Sequence, residues 1–202
     1  MSAGEGKAKR PYRMRARAKA AEATRLRILD AVEVAFEEIP FGEITLTAIA
    51  ERTGVSVQTV LRHFENKDAL FMASLLHGGA EMAGDRDVRP VGDLDEIVGV
   101  LADHYERFGS RILRMLAQEE REPILHQLAE VGRIYHLEWC KQAFSPALKG
   151  LRGGKRKRRI AQFVAATDIY TWKLLRRDRG LSPEQTKLAM RELLEPLMEE
   201  SR

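Results

Sequence analysis

The chain of 202 residues contains one cysteine, Cys140, so no disulfide bond can form within it. Cys140 stands on the apolar face of a predicted helix, which indicates a small buried side chain rather than a nucleophile. No apolar run approaches the roughly 18 residues that a membrane span needs, and no secretory signal follows the start. We therefore expect a cytoplasmic protein that has no contact with a membrane.

The sequence also lacks the residue patterns on which most active sites and metal sites depend. It shows no metal-ligand spacing, no nucleophile elbow and no phosphate-binding loop. His104, His126 and His136 are spread along the chain, and no two of them are four positions apart on a helix. We predict that the protein is not an enzyme and that it binds no cofactor and no metal ion.

Sustained two-residue alternation of apolar and polar residues is absent, which argues against β-strands. Apolar residues recur with helical spacing instead, so the predicted fold class is all-α with about nine helices. The predicted helices lie at about 22–39, 46–53, 57–63 and 67–83, with two between 93 and 117, one at 123–144, and two at 156–178 and 183–200.

Charge is distributed unevenly along the chain. The formal net charge is only +4, yet nine basic residues and one acidic residue lie between Lys7 and Arg27. Such a block is typical of a segment that contacts a polyanion, and a solvated tail without a partner is the alternative. The run Lys155–Arg159 (KRKRR) is interpreted as a solvated helix start, with a second nucleic-acid contact as the alternative.

The segment from Thr45 to Lys67 has the pattern of two short helices joined by a tight turn. Gly54 stands where a helix end most often needs a positive φ, and Ser56 stands at the N-cap of the next helix. Helices this short do not persist alone in water, so the pair needs a third helix behind it. The second helix presents a hydrogen-bonding surface suited to base edges, which predicts a helix-turn-helix that binds double-stranded DNA.

These residues resemble the tetracycline-repressor (TetR) family of bacterial transcriptional regulators. The resemblance runs from the Ile28-Leu29-Asp30-Ala31 segment, through the helix pair and His63-Phe64, to Lys67, Leu70 and Phe71. Leu61 departs from the pattern, because the family usually has a phosphate-contacting Tyr there. The rest of the chain is similar to the family only in its helical layout.

The resemblance implies a homodimer that binds a palindromic operator, with a four-helix interface formed by the last two helices of both subunits. The predicted organisation is a flexible basic arm at 1–20, a helix-turn-helix DNA-binding domain at 21–67, and a regulatory and dimerisation domain at 68–202. Apolar faces on the last two helices exceed what one subunit can cover. The predicted interface residues are Phe163, Ala166, Tyr170, Leu193 and Leu197.

Position along the motif assigns the candidate DNA contacts. The start of the first motif helix and the start of the fourth helix are placed to meet phosphates. The start of the second motif helix points deepest into the major groove, where Gln58 suits adenine and Val57 suits a thymine methyl. His63 is a backbone contact or, alternatively, a packing residue. The predicted DNA-binding residues are Arg13, Arg15, Arg17, Lys19, Thr45, Thr47, Val57, Gln58, Thr59, Arg62, His63 and Lys67.

Aromatic residues of the second domain are candidates for an effector pocket, with simple core packing as the alternative for each. As a group they suit a small apolar or aromatic ligand rather than a highly charged metabolite. The candidates are His104, Tyr105, Phe108, Leu116, Tyr135 and Trp139. Two functions are weighed: a repressor released from its operator by such a ligand, or an architectural DNA-binding protein of low specificity without an effector.

Overall fold

The computed structural model describes residues 6–85 and 91–199. All regular structure in these two ranges is helical and neither contains a strand, which confirms the predicted all-α fold class. The chain forms two compact units, Met1–Gly78 and Gly79–Arg202. The helices are α1 Gly6–Glu38, α2 Leu46–Thr53, α3 Val57–His63, α4 Lys67–Asp85, α5 Leu94–Leu116, α6 Pro123–Ala143, α7 Gly153–Ala166, α8 Ile169–Lys173 and α9 Pro183–Glu199.

None of the helices described combines the length and the hydrophobicity needed to cross a membrane.

The core of the first unit is made by the second half of α1, the helix pair α2–α3 and the first turns of α4. Ile28 and Phe36 of α1 are fully or almost fully buried. The ring of Phe71 from α4 packs edge-on against Phe36, with centroids 5.1 Å apart. Ser74 of α4 donates a hydrogen bond to the Leu29 carbonyl of α1 at 3.2 Å. Because of these contacts the first unit includes α4 as far as Gly78, whereas the sequence suggested a domain boundary at residue 67.

Helix α1 begins at Gly6, whereas the sequence predicted no helix before about residue 22. Residues 13–27 are rich in Ala, Arg and Lys, which are strong helix formers. The prediction was based on the lack of apolar side chains before residue 22. That lack indicates that the segment is not buried, but it does not prevent the segment from forming a helix. All side chains from Met14 to Ala23 are exposed. The flexibility of the arm stays a prediction, and residues 1–5 lie outside the described ranges.

In the second unit, α5 lies against α6, α8 and α9. Its buried residues include Ile97 and Leu101, each with no solvent-exposed surface. The rings of Phe144 and Phe163 stack at the centre of this core, with centroids 4.0 Å apart and planes 2° from parallel. The core therefore joins the end of α6 to α7 and anchors both helices on α5 and α9.

Two helix boundaries in this unit differ from the prediction. The two helices expected between residues 93 and 117 are one continuous helix, α5, which runs through Gly109. The single helix expected at 156–178 is divided after Ala166, because the Asp168 side chain caps the N–H of Tyr170 and begins α8. Helix α8 then widens into a π-helical turn, Leu174–Asp178.

Candidate nucleic-acid interface

Helices α2 and α3 are joined by the turn that the sequence predicted. Thr45 caps α2, its hydroxyl accepting from the Ala48 N–H at 3.1 Å. Gly54 ends α2 in the left-handed conformation, with φ +67°, and its N–H donates to the carbonyls of Ala50 and Glu51. Because an L-residue at this φ is strained, glycine lets the chain reverse at once into α3.

Ser56 caps α3 in the same way as Thr45 caps α2. Its hydroxyl oxygen accepts from the Thr59 N–H at 3.2 Å and lies 3.0 Å from the Thr59 hydroxyl. The Thr59 hydroxyl is thus engaged in the cap, and its methyl group is left for a contact outside the motif. The network holds the start of α3, where base contacts are expected.

The surface of α3 divides into a buried side and a side open to solvent. Val60 has no exposed surface and Phe64, which ends the helix, is 5% exposed. Gln58 and Arg62 are exposed. Val57, Thr59, Leu61 and His63 are half-buried. Helix α3 therefore rests on the core through one side and presents the amide of Gln58 and the guanidinium of Arg62 to solvent.

Lys67 has a defined role in positioning the loop that precedes α2. Its ammonium donates to the Phe41 carbonyl at 2.7 Å and to the Gly42 carbonyl at 3.4 Å. It also lies 4.2 Å from the centroid of the Phe41 ring, a cation–π contact. Lys67 therefore fastens this loop to the start of α4, and its contact with a phosphate stays a prediction.

Two further arginines, absent from our sequence-based site, lie beside the motif. The guanidinium carbon of Arg25 lies 5.5 Å from the centroid of the Phe64 ring, which places a cation near the end of α3. Arg52 of α2 forms an ion pair with Glu38 of α1. The hydrogen bond from Arg52 lowers the pKa of the Glu38 carboxyl below its ordinary value. The only sequence signal for Arg25 was its place in the basic block.

The remaining candidate DNA contacts lie at the starts of α1 and α2. Thr47 is exposed in the first turn of α2. Arg15, Arg17 and Lys19 are exposed along α1. Arg13 lies in the same helix, but its side chain is outside the part of the chain whose side chains are described.

The candidate effector residues do not all lie in the interior of the second unit. His104, Tyr105, Phe108 and Trp139 are buried, and Leu116 packs half-buried against the same core. Tyr135 is 40% exposed, and its contact with a ligand stays a prediction. The buried stripe of α6 is centred on His136, Cys140 and Ala143, which leaves Tyr135 at its edge.

A buried polar cluster accompanies these aromatic residues. The Tyr105 hydroxyl donates to the Thr167 carbonyl at 2.9 Å. The Thr167 hydroxyl lies 3.1 Å from His136 Nε2 and 3.3 Å from Cys140 Sγ. Cys140 is 1% exposed, which confirms the prediction of a buried thiol. The cluster closes the gap between α6 and the end of α7.

The candidate dimer residues also divide into a buried and an exposed group. Phe163 has no exposed surface and stacks on Phe144, and its place in the interface stays a prediction. Ala166 and Leu197 are half-buried against the core. Tyr170 and Leu193 are 52% and 50% exposed.

Among the side chains that the structure describes, no three His, Cys, Asp or Glu residues are grouped so as to hold a metal ion.

A capped pair of short helices, seated on a third helix and presenting polar side chains, defines the class: this is a helix-turn-helix DNA-binding protein. Residues 28–73 match the family described as "Bacterial regulatory proteins, tetR family". The helix-turn-helix of this chain is therefore similar to this family of bacterial regulatory proteins, as the sequence predicted.

Solved structures show the same fold over most of the chain. A transcriptional regulator from Rhodococcus sp. Rha1 is 16% identical, with a TM-score of 0.66, over 87% of this chain and 96% of its own. A candidate transcriptional regulator from Pseudomonas aeruginosa PAO1 is 15% identical, with a TM-score of 0.66, over 88% of this chain and 91% of its own. No curated protein sequence matches this chain significantly.

Proposed function

We propose that the protein is a homodimeric repressor that acts in the cytoplasm. It binds a palindromic operator through α3 of each subunit and is released when a small apolar or aromatic ligand enters the second unit. Ligand binding changes the separation of the two recognition helices, so that they no longer match half-sites about one DNA turn apart.

The observation that carries this proposal is the exposed polar surface of α3. Gln58 and Arg62 project from a helix whose start is fixed by the cap at Ser56 and whose base is buried through Val60. An amide and a guanidinium can each form two hydrogen bonds to the edge of one base. Held in fixed positions, such groups are suited to discriminate among base pairs. An architectural binder needs only backbone contacts and gains nothing from such a surface.

Support for the homodimer comes from apolar side chains left open at the end of the chain. Tyr170 and Leu174 are each 52% exposed, and Leu188 and Leu193 of α9 are 53% and 50% exposed. Exposed apolar residues gathered on neighbouring helices are typical of a surface that a second subunit covers. The half-buried Leu197 also lies on α9, and the half-buried Ala166 ends α7 just before α8.

Support for an apolar or aromatic ligand comes from the interior of the second unit. The rings of Tyr105 and Phe108 lie 5.6 and 5.2 Å from that of His104, all three on α5. Trp139 of α6 is also buried and stacks beside His136. A ligand that replaces part of this packing meets mostly apolar surface with a few polar atoms.

Selection of bound sites from random DNA tests the proposal, because it reports specificity, symmetry and half-site spacing together. We expect a palindromic site whose half-sites are about one DNA turn apart. A specificity ratio near one against random duplexes favours the architectural alternative. A purified protein that is monomeric at every concentration contradicts the proposal.

The substitution Gln58→Ala isolates the role of base reading. Because each dimer loses two bidentate base contacts, each worth about 1–3 kcal/mol, we expect the affinity for the selected site to fall by about 30-fold or more. Affinity for random duplex DNA should change little. The matched control is Gln127→Ala, which removes the same side chain from an exposed position on α6. Equal losses on selected and random DNA would show that Gln58 reads no base.

A further inference from the structure

The second unit contains a stretch in which positive charge has no negative charge beside it. Between Glu138 and Asp168 the sequence has eight Lys or Arg residues and no acidic residue. We call six of these the α7 basic patch, of which Arg156 is half-buried and the other five are exposed. The six are Lys149, Arg152, Lys155, Arg156, Lys157 and Arg158.

The α7 basic patch differs in its ion pairing from several other basic residues of the same unit. Lys187 Nζ lies 2.7 Å from an oxygen of Asp103. A guanidinium nitrogen of Arg133 lies 2.8 Å from an oxygen of Glu119. No acidic group among the described side chains lies within 4.0 Å of any residue of the patch. The charge of the patch is therefore open to a partner of opposite sign.

Arg159, the next residue along the chain, anchors the helix that carries the patch. Its side chain is 8% exposed, and its guanidinium donates to the Leu197 carbonyl of α9. Its Nε also donates to the Gln162 side chain at 3.2 Å. One arginine of the basic run thus holds α7 on the body of the unit, while those before it project to solvent.

The position of the patch at the start of α7 opposes the stability of that helix. The first turn contains no acidic residue, and Arg152 at the N-cap makes no side-chain capping bond. The start of a helix carries the positive end of its dipole, so cations there repel it and anions stabilise it. A bound anion offsets this repulsion, which the intramolecular contacts leave uncompensated.

The chemistry of the patch fits the phosphate backbone of duplex DNA. Leu151 is the one large apolar residue within 149–158, and it is half-buried against the core. The patch therefore lacks the exposed apolar anchors of membrane-binding helices and the aromatic platforms on which unpaired bases stack. Backbone phosphates require only cationic side chains within reach.

We propose that the α7 basic patch is a second DNA-contacting surface, which binds duplex phosphates without reading base sequence. The proposal rests on the DNA-binding function and adds sequence-independent affinity to it. Successive residues on a helix point about 100° apart, so about two of the four at 155–158 face one DNA backbone at a time. Each neutralised phosphate steepens the dependence of log affinity on log salt by about 0.9.

The test compares full-length variants on a duplex of random sequence at salt concentrations from about 50 to 200 mM. The patch variant is K155Q/K157Q/R158Q. The control, R133Q/K141Q/K187Q, removes the same formal charge from residues that are paired with acids. We expect the slope of log affinity against log salt concentration to be shallower for the patch variant by about 1.8 per bound subunit. Between about 50 and 200 mM salt, the variant should therefore lose about tenfold less affinity than the wild-type protein.

Several outcomes decide the proposal. It is supported if K155R/K157R keeps the wild-type slope and R158Q alone lowers it by up to about 0.9. An unchanged slope in the patch variant, or an equal flattening in the control, overturns it. Binding of wild-type protein but not of the patch variant to phosphatidylglycerol vesicles, with equal DNA slopes, assigns the patch to a membrane surface instead.

Helicity measured by circular dichroism verifies that each variant is folded. The random duplex contains no operator, so this result is independent of the site selection that tests the repressor. A wild-type protein without sequence preference contradicts the repressor and leaves the slope comparison intact.

Discussion

Gly54 in the first unit and Gly109 in the second are both required by the fold, but for different reasons. Gly54 has φ +67°, and a Cβ placed there would meet no atom within 4 Å. Gly109 lies inside α5, where a Cβ would lie 2.8 Å from two ring atoms of Trp172. Backbone conformation requires the first glycine, and a close approach between two helices requires the second.

The comparison shows which kind of structural information can be read from a sequence. The requirement at Gly54 is set by its own position at the end of α2, so the turn was predicted from neighbouring residues. The requirement at Gly109 is set by Trp172, 63 positions later in the sequence. From local sequence we predicted two helices between residues 93 and 117, whereas the structure has one continuous helix through Gly109.

The largest expected effect comes from Gly109→Ala. The added methyl group overlaps the Trp172 ring, which is 1% exposed and whose Nε1 donates to Glu106 at 3.2 Å. Because the ring is held in place, we expect a loss of about 1–3 kcal/mol in the free energy of unfolding. Both tryptophans, Trp139 and Trp172, belong to the second unit, so their fluorescence follows its unfolding.

Gly132→Ala is the matched control, since a Cβ at this exposed position of α6 meets nothing within 4 Å. It should stabilise the helix by up to about 1 kcal/mol. Equal effects of the two substitutions would contradict the proposed reason for glycine at position 109.

Gly54→Ala tests the other member of the comparison. An L-residue in the left-handed conformation costs about 1–2 kcal/mol, so the first unit should be destabilised by that amount. Far-ultraviolet circular dichroism should show an earlier transition, while tryptophan fluorescence keeps its wild-type midpoint. Gly54→Asn should cost less, because asparagine tolerates this conformation better. A cost for Asn as large as that for Ala would indicate that space, rather than φ, is limiting.

The smallest expected effect concerns an ion pair in the second unit. The hydrogen bond from Arg133 lowers the pKa of the Glu119 carboxyl below its ordinary value of 4.5. Because the folded-state pKa is depressed, this pair stabilises the fold above that ordinary pKa, and the gain is lost as pH falls through the folded-state pKa. We expect a contribution below about 1 kcal/mol, as for other exposed pairs.

Acid unfolding followed by tryptophan fluorescence measures this contribution. Arg133→Gln should lower stability near neutral pH and have no effect once Glu119 is protonated. Arg121→Gln makes the same charge change at an exposed residue and should leave the acid transition where it is. A pH-independent cost for Arg133→Gln would assign Arg133 a packing role instead.

Local signals predicted most of the first unit and several boundaries of the second. Asn66 and Asp93 cap the starts of α4 and α5 with their side chains, and Ser182 and Gln185 exchange hydrogen bonds at the start of α9. The bounds of α2 and α3 agree with the prediction to the residue. Each of these features depends on residues within four positions of one another, so the sequence contains the whole signal.

The features that were missed depend on contacts between helices distant in the sequence. Phe163 and Tyr170 are both apolar in the sequence pattern, yet Phe163 is fully buried against Phe144 and Tyr170 is 52% exposed. Tyr135 and Trp139 are four positions apart on α6, and only Trp139 faces the core. Amphipathic periodicity indicates which residues are apolar, and the neighbouring helix decides which of them is covered.

The contact between Gly109 and the Trp172 ring has a consequence for how this sequence can evolve. Because one residue occupies the space that the other leaves, neither position can be changed independently. A library that randomises both positions should yield folded members in which a larger residue at 109 accompanies a smaller one at 172. Selection would therefore act on the two positions as a pair, although both residues are buried.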